Sequence, residues 1–162
     1  MVTDEDIAEK LVLIDSILRH IRNVSDNCIL LGKKLILDGQ VEFGTKLIAN
    51  GLIHDNSKLS GIELEYLHPD VAKTKLELAV NHHNSTNPHH PEYWQQIDNM
   101  PDIFLAEMAC DWKSRSEEFG TSIYDWALEE APKRFNFKKS GEVYRKILKY
   151  LELLCDKPFE KK

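Results

Sequence analysis

The sequence predicts an all-α fold, a single compact domain of about six helices spanning residues 1–162. Apolar residues recur at steps of three and four along most of the chain, the spacing of a helix face. No stretch alternates apolar and polar residues in the way a half-buried strand requires. Only seven glycines and six prolines interrupt 162 residues, and 42% of the chain is apolar, enough to bury a core.

Residues Asp4 to about Asp38 read as one long helix, or two in line, without internal proline. Ile7, Leu11, Ile14, Leu18, Ile21, Cys28 and Leu35 form one stripe, with a gap at Ser25 and Gly32. Leu13, Ile17, His20, Val24 and Leu31 form a neighbouring one, so His20 lies on an apolar face, where an imidazole needs a polar partner. Asp38-Gly39 ends the segment, glycine tolerating left-handed geometry. A second helix, from about Val41, carries Phe43, Leu47, Ile48, Leu52 and Ile53 into His54-Asp55. Ser60 is placed to cap a short helix to Leu67, with Glu63 at the capping-box position. Pro69 interrupts, and Asp70 is placed to cap a helix carrying Val71, Leu76, Leu78, Ala79 and Val80 into His82-His83.

Asn84 to Pro91 is rich in Asn, Pro and Ser and reads as a loop, with histidine doublets, His82-His83 and His89-His90, at its ends. Tyr93 and Trp94 are expected to anchor it. Pro101 and Asp102 open an apolar helix in which Asp111 shares the face of Phe104 and Met108. A buried carboxylate must be protonated, paired or metal-bound, and Arg115, one turn on, is its simplest ion-pair partner. Ser122 is expected to cap a helix from Ile123 to Glu130, stopped by Pro132. Lys133 to Lys139 reads as a basic, solvated linker. Ser140 then caps the last helix, with Val143, Tyr144, Ile147, Leu148, Leu151 and Leu154 on its buried side.

Bulk properties exclude several classes. A formal charge of −6 argues against broad electrostatic binding to nucleic acid. No apolar run approaches the ~20 residues of a membrane span, and the acidic N-terminus lacks the features of a secretory signal. Cys28, Cys110 and Cys155 are far apart and odd in number, which predicts reduced thiols and a cytoplasmic location. A homo-oligomer stays open.

His54-Asp55 is the pair around which the rest is arranged. Successive side chains on a helix point about 100° apart, so both can grip one ion only if the helix ends there. Upstream lies His20; downstream lie the His doublets and Asp111. This order resembles the metal-binding signature of the HD-domain superfamily, over about Leu13 to Arg115. The strongest local piece is Leu52-Ile53-His54-Asp55-Asn56-Ser57-Lys58, similar to the superfamily's apolar-apolar-His-Asp-x-x-Lys block. Ala79-Val80-Asn81-His82-His83 resembles the double-His element of the subgroup acting on cyclic dinucleotides, but the following Gly-Tyr-Pro is absent, so that substrate is not implied. More narrowly, Asn87 to Trp94 and Met108 to Trp112 are similar to small HD-like proteins of unknown function in bacteria and phages.

The resemblance implies one metal held by His20, His54, Asp55 and Asp111, with water completing the shell. Asp55 and Lys58 would serve catalysis, Asp55 by accepting a proton through an oxygen facing away from the metal and Lys58 by meeting phosphate charge. His82, His83, His89 and His90 would supply a second metal or touch substrate. Nitrogen and oxygen ligands without thiolate suit Mn, Fe, Co, Ni or Zn, with Mg at an oxygen-rich site. The expected function is a metal-dependent phosphohydrolase acting on a nucleotide or related small phosphate ester. The alternatives are an HD-type di-iron oxygenase and a non-catalytic module that binds a nucleotide or protein partner.

Overall fold

In the computed structural model, which describes residues 3–68 and 70–159, the longest element is α1 (Asp4–Leu37), one unbroken helix. The break expected at Pro69 lies outside the described residues. Thr3 caps α1: its hydroxyl accepts from the Asp6 amide while the Asp6 carboxylate takes the Thr3 amide, and acids fill the positive end of the helix dipole. Ile17, His20, Val24, Cys28, Leu31 and Leu35 are buried, whereas Ile7, Leu11 and Leu18 of the first stripe stand exposed. No described element covers the N-terminal turns, so periodicity there does not become burial.

Gly39 (φ +86°) reverses the chain, and α2 (Val41–Ile53) returns along α1. The gap in the α1 stripe marks where the two backbones touch. A Cβ on Gly44 would lie 2.5 Å from the Gly32 carbonyl oxygen, and one on Gly51 would lie 2.4 Å from Cys28 Cβ. Small residues on both helices thus let α2 lie against α1 and deliver its end beside His20.

α3 (Gly61–Tyr66) and α4 (Lys73–Thr86) pack on each other and depart from the sequence reading in three ways. Ser60 precedes α3 but makes no capping hydrogen bond, because Glu63 is turned inward to other partners. Asp70 is not the cap of α4, which starts after Ala72. α4 also runs past both histidines to Thr86; the Ser85 and Thr86 hydroxyls donate to the His82 carbonyl, which keeps these polar residues compatible with a helix. The expected loop therefore shrinks to Asn87–His90. It leads into a 3-10 turn, Pro91–Trp94, where the Trp94 indole donates to the Pro88 carbonyl (2.7 Å) and its ring packs on Phe104. Tyr93 stays exposed. A second 3-10 turn, Ile97–Asn99, follows.

α5 (Asp102–Phe119), capped by Pro101, is the central helix and is buried almost all round, packing on α1, α2 and the last helix. Beyond Gly120, Ser122 accepts from the Asp125 amide as the cap of α6 (Ile123–Asp125). α6 continues as a π-helical turn, Trp126–Glu130, into α7 (Ala131–Arg134). Pro132 therefore does not stop the helix. Its missing N–H would orphan nearby carbonyls, but Lys139 Nζ donates to Leu128 O (2.8 Å) and the Tyr144 hydroxyl to Ala127 O (2.9 Å). Phe137 of the basic linker is buried and Phe135 stacks on Trp112, so the linker is surface only at its charged residues.

α8 (Glu142–Cys155) starts after Gly141 rather than Ser140 and buries Tyr144, Ile147, Tyr150, Leu151 and Leu154. Lys34 Nζ, donating to the Leu153 carbonyl, ties it to α1. The cysteines are free, Cys28 and Cys110 buried as expected. Among the described residues there is no strand, and no helix is long and apolar enough to cross a membrane.

Candidate metal centre

The site is built on one sharp turn. α2 stops at Ile53, His54 leaves helical geometry (φ −51°, ψ 134°), and Asp55 is left-handed (φ 56°, ψ 16°). That conformation is disfavoured for most side chains and tolerated by Asp. It turns two consecutive side chains to the interior, where both are buried.

There they meet ligand-type atoms from three other helical segments. His20 Nε2 lies 3.2 Å from Asp111 Oδ1 and 3.3 Å from Asp55 Oδ2; His54 Nε2 is 3.5 Å from the same Asp55 oxygen. The other Asp55 oxygen, Oδ1, lies 3.2 Å from both His83 Nε2 and His89 Nε2. His90 Nε2 completes the group, 3.0 Å from His83 Nε2. Close as they are, five of these buried atoms make no hydrogen bond among the described residues: His20, His54 and His89 Nε2, Asp55 Oδ1 and Asp111 Oδ1. A buried polar atom left unbonded costs about 1–3 kcal/mol, so an ion that bonded these atoms would relieve that cost. The atoms form two groups, His20/His54/Asp111 and Asp55/His83/His89/His90, each with its ligand atoms within 4.8 Å of one another. Each group can hold a metal ion, and Asp55, with one oxygen toward each, can serve both.

Carboxylates hold the rings from behind. Glu118 accepts from His20 Nδ1 (2.9 Å), Glu107 from His54 Nδ1 (2.9 Å), and Glu63 from His83 and His82 Nδ1 (2.8 Å each). For His20, His54 and His83 the bond puts the proton on Nδ1 and turns the Nε2 lone pair inward, the arrangement that orients metal-binding histidines. Glu107 also lies 3.4 Å from His89 Nδ1, so although it completes a third possible group with His54 and His89, its oxygen is better used holding those rings. Asn23, Asn50 and Ser57 in turn donate to Glu118, Glu107 and Glu63.

The structure thus brings His20, His54, Asp55, Asp111, His83, His89 and His90 together. His82 is not among them; it holds Glu63 from an exposed position. Asp55 has no oxygen facing away from the cluster, as the proton-acceptor reading required, because the second one faces His83 and His89. Lys58 Nζ donates to Asp55 Oδ2, and Arg115 pairs with Glu118 (3.3 Å) rather than with Asp111. Glu63, Glu107 and Glu118 went unread as ring holders. For two of them a signal existed, since Glu107, Asp111 and Glu118 share one face of α5; no spacing relates Glu63 to histidines nineteen and twenty residues on.

The cluster is strongly polarised. Burial works against charge on His20, but the Asp111 and Asp55 carboxylates outweigh it and raise its pKa to about 9. His54 is likewise raised, against burial, by Asp55 and Glu107. Burial opposes ionisation of Asp55 and Asp111 too, yet the charge of His54 and contact with His20 hold both below the usual carboxylate range. Burial and neighbouring imidazoles push His89 and His90 down, leaving them neutral and able to donate a lone pair. Replacing Glu118 with Ala is expected to weaken metal binding by about 10–100-fold by freeing the His20 ring. Competition with a chromophoric chelator measures this; unchanged affinity would remove His20 from the ligand set.

Beside the cluster opens a cavity of about 280 Å³, reached by Asp111 and His90 and walled further out by Arg115, Phe119, Trp126 and Arg134.

Fold and site define an all-α protein with a buried histidine–carboxylate cluster able to hold metal. The chain belongs to a family of unknown function, DUF5662, which it matches over residues 11–157. Searches of curated proteins and of solved structures returned no match.

Proposed function

We propose that the chain is a metal-dependent phosphohydrolase of the HD type, acting on a nucleotide or related phosphate ester through a metal-activated water. The observation that carries this reading is the set of buried, unbonded Nε2 and carboxylate atoms aimed at common points, with rings locked from behind. His20, His54, Asp55 and Asp111 would hold one ion, and Asp55, His83, His89 and His90 a second. Bound there, divalent ions would lower the pKa of water and polarise a phosphoryl oxygen. Glu118, Glu107 and Glu63 keep the rings in the donating tautomer. Lys58, whose ammonium pairs with Asp55 Oδ2, is freed once a metal takes that oxygen, and can then meet phosphate charge.

The test is metal analysis of protein purified without chelator, followed by a phosphate-release screen over nucleotides with and without EDTA. Bound divalent metal and EDTA-sensitive release from at least one nucleotide are expected; no release with any divalent metal would overturn the reading. Asp55, shared between the two groups, also suits a di-iron oxygenase. That reading requires two irons per chain and turnover that consumes O₂.

A further inference from the structure

The cavity beside the cluster has a chemistry of its own. It is lined by two arginines on aromatic rings: the Arg115 guanidinium lies 5.8 Å from the Phe119 ring centre, and that of Arg134 5.9 Å from Trp126 and 5.2 Å from Phe135. Phe119, which lines the cavity, is 70% exposed. Arg115 stands one helical turn beyond Asp111, so an anion on its guanidinium sits within reach of the metal groups. Trp126 opens the π-helical turn, a distortion that often marks functional sites, and Arg134 ends α7, which follows it. The volume, about 280 Å³, is at the small end for ligand pockets.

We propose that this cavity recognises a phosphate ester of mononucleotide size carrying one planar aromatic ring system, with Arg115 on the phosphate and the ring stacked at Trp126 and Arg134. Arg115 can bind phosphate oxygens through its fork of N–H donors, and its charge already faces the cavity while paired with Glu118. An indole face backed by a guanidinium accepts any flat ring by stacking, without reading its edge. The volume suits a single nucleotide inside the cavity. Trp126 and Arg134 are thus specificity-determining residues that do not touch the reacting bond. This rests on the phosphohydrolase reading only for which end of the ligand meets the metal.

Calorimetric titration of the purified chain in EDTA, where metal-dependent turnover stops, tests it with AMP, CMP, ribose 5-phosphate and a dinucleotide. The mononucleotides are expected to bind at least about tenfold tighter than ribose 5-phosphate and than the dinucleotide. Arg115→Gln should weaken every phosphate-bearing probe. Trp126→Ala should bring AMP down to ribose 5-phosphate and leave the latter unchanged. Arg134→Gln, on an exposed side chain, should narrow the same gap if Trp126→Ala fails to fold. No binding, no preference for the ring, or a preference that survives both Trp126→Ala and Arg134→Gln would overturn the proposal. Ring-selective binding without phosphate release under any metal would leave it standing and remove the hydrolase reading instead.

Discussion

Asp55→Ala is expected to strip the protein of metal and reduce phosphate release to background. One oxygen of this carboxylate faces His20 and His54 and the other faces His83 and His89, so its loss removes a ligand from both groups at once. It also removes the carboxylate whose charge raises the pKa of His20 and His54 against their burial. Alanine is strained at φ 56°, by roughly 1 kcal/mol, so Asp55→Asn is the better-controlled partner. Asparagine tolerates the turn and keeps the shape but lacks the charge, and it should lose metal while keeping the helical circular dichroism spectrum. Metal content by mass spectrometry and phosphate release check both variants. Full activity in either would refute the mechanism.

Lys58→Ala is expected to leave metal bound and lower kcat by roughly 10²-fold, the scale on which a positioned cation stabilises transition-state charge. Among the described residues its ammonium pairs with Asp55 Oδ2. Metal and lysine compete for that oxygen, so the variant should bind metal at least as tightly as the parent. The metal-free variant should melt lower, because a buried carboxylate has lost its ammonium partner. A slower kcat at unchanged metal content identifies Lys58 with the reaction. An unchanged kcat with a lower metal-free melting temperature would restrict it to neutralising Asp55.

Much of the fold was legible because helices announce themselves locally. The 3.6-residue period marked α1, α2, α5 and α8, and Gly39 and Ser122 marked an end and a start. Where the reading failed, a distant partner had changed the local balance. Pro132 should have stopped a helix, but side chains from Lys139 and Tyr144 supply the donors that its ring removes. Glu63 and Ser60 looked like a capping box, but two histidines from α4 and the Ser57 hydroxyl claim the carboxylate. Asn84 to Thr86 looked like loop, yet hydroxyl bonds to the His82 carbonyl keep them helical.

By itself the sequence determined that the chain is helical and that histidines and aspartates stand in an order capable of forming one cluster. Those are properties of type and spacing, which a linear chain carries openly. Only the tertiary structure decided that His83 turns inward and His82 does not, that both His89 and His90 join the cluster, that Asp55 faces both groups, that Glu63, Glu107 and Glu118 hold the rings, and that Arg115 and Arg134 line a cavity. Each of these depends on the approach of elements far apart in the chain, set here by glycines that let α1 and α2 touch and by the left-handed turn at Asp55. A side chain's direction at such a crossing follows from what packs against it, and that is not written in its neighbours.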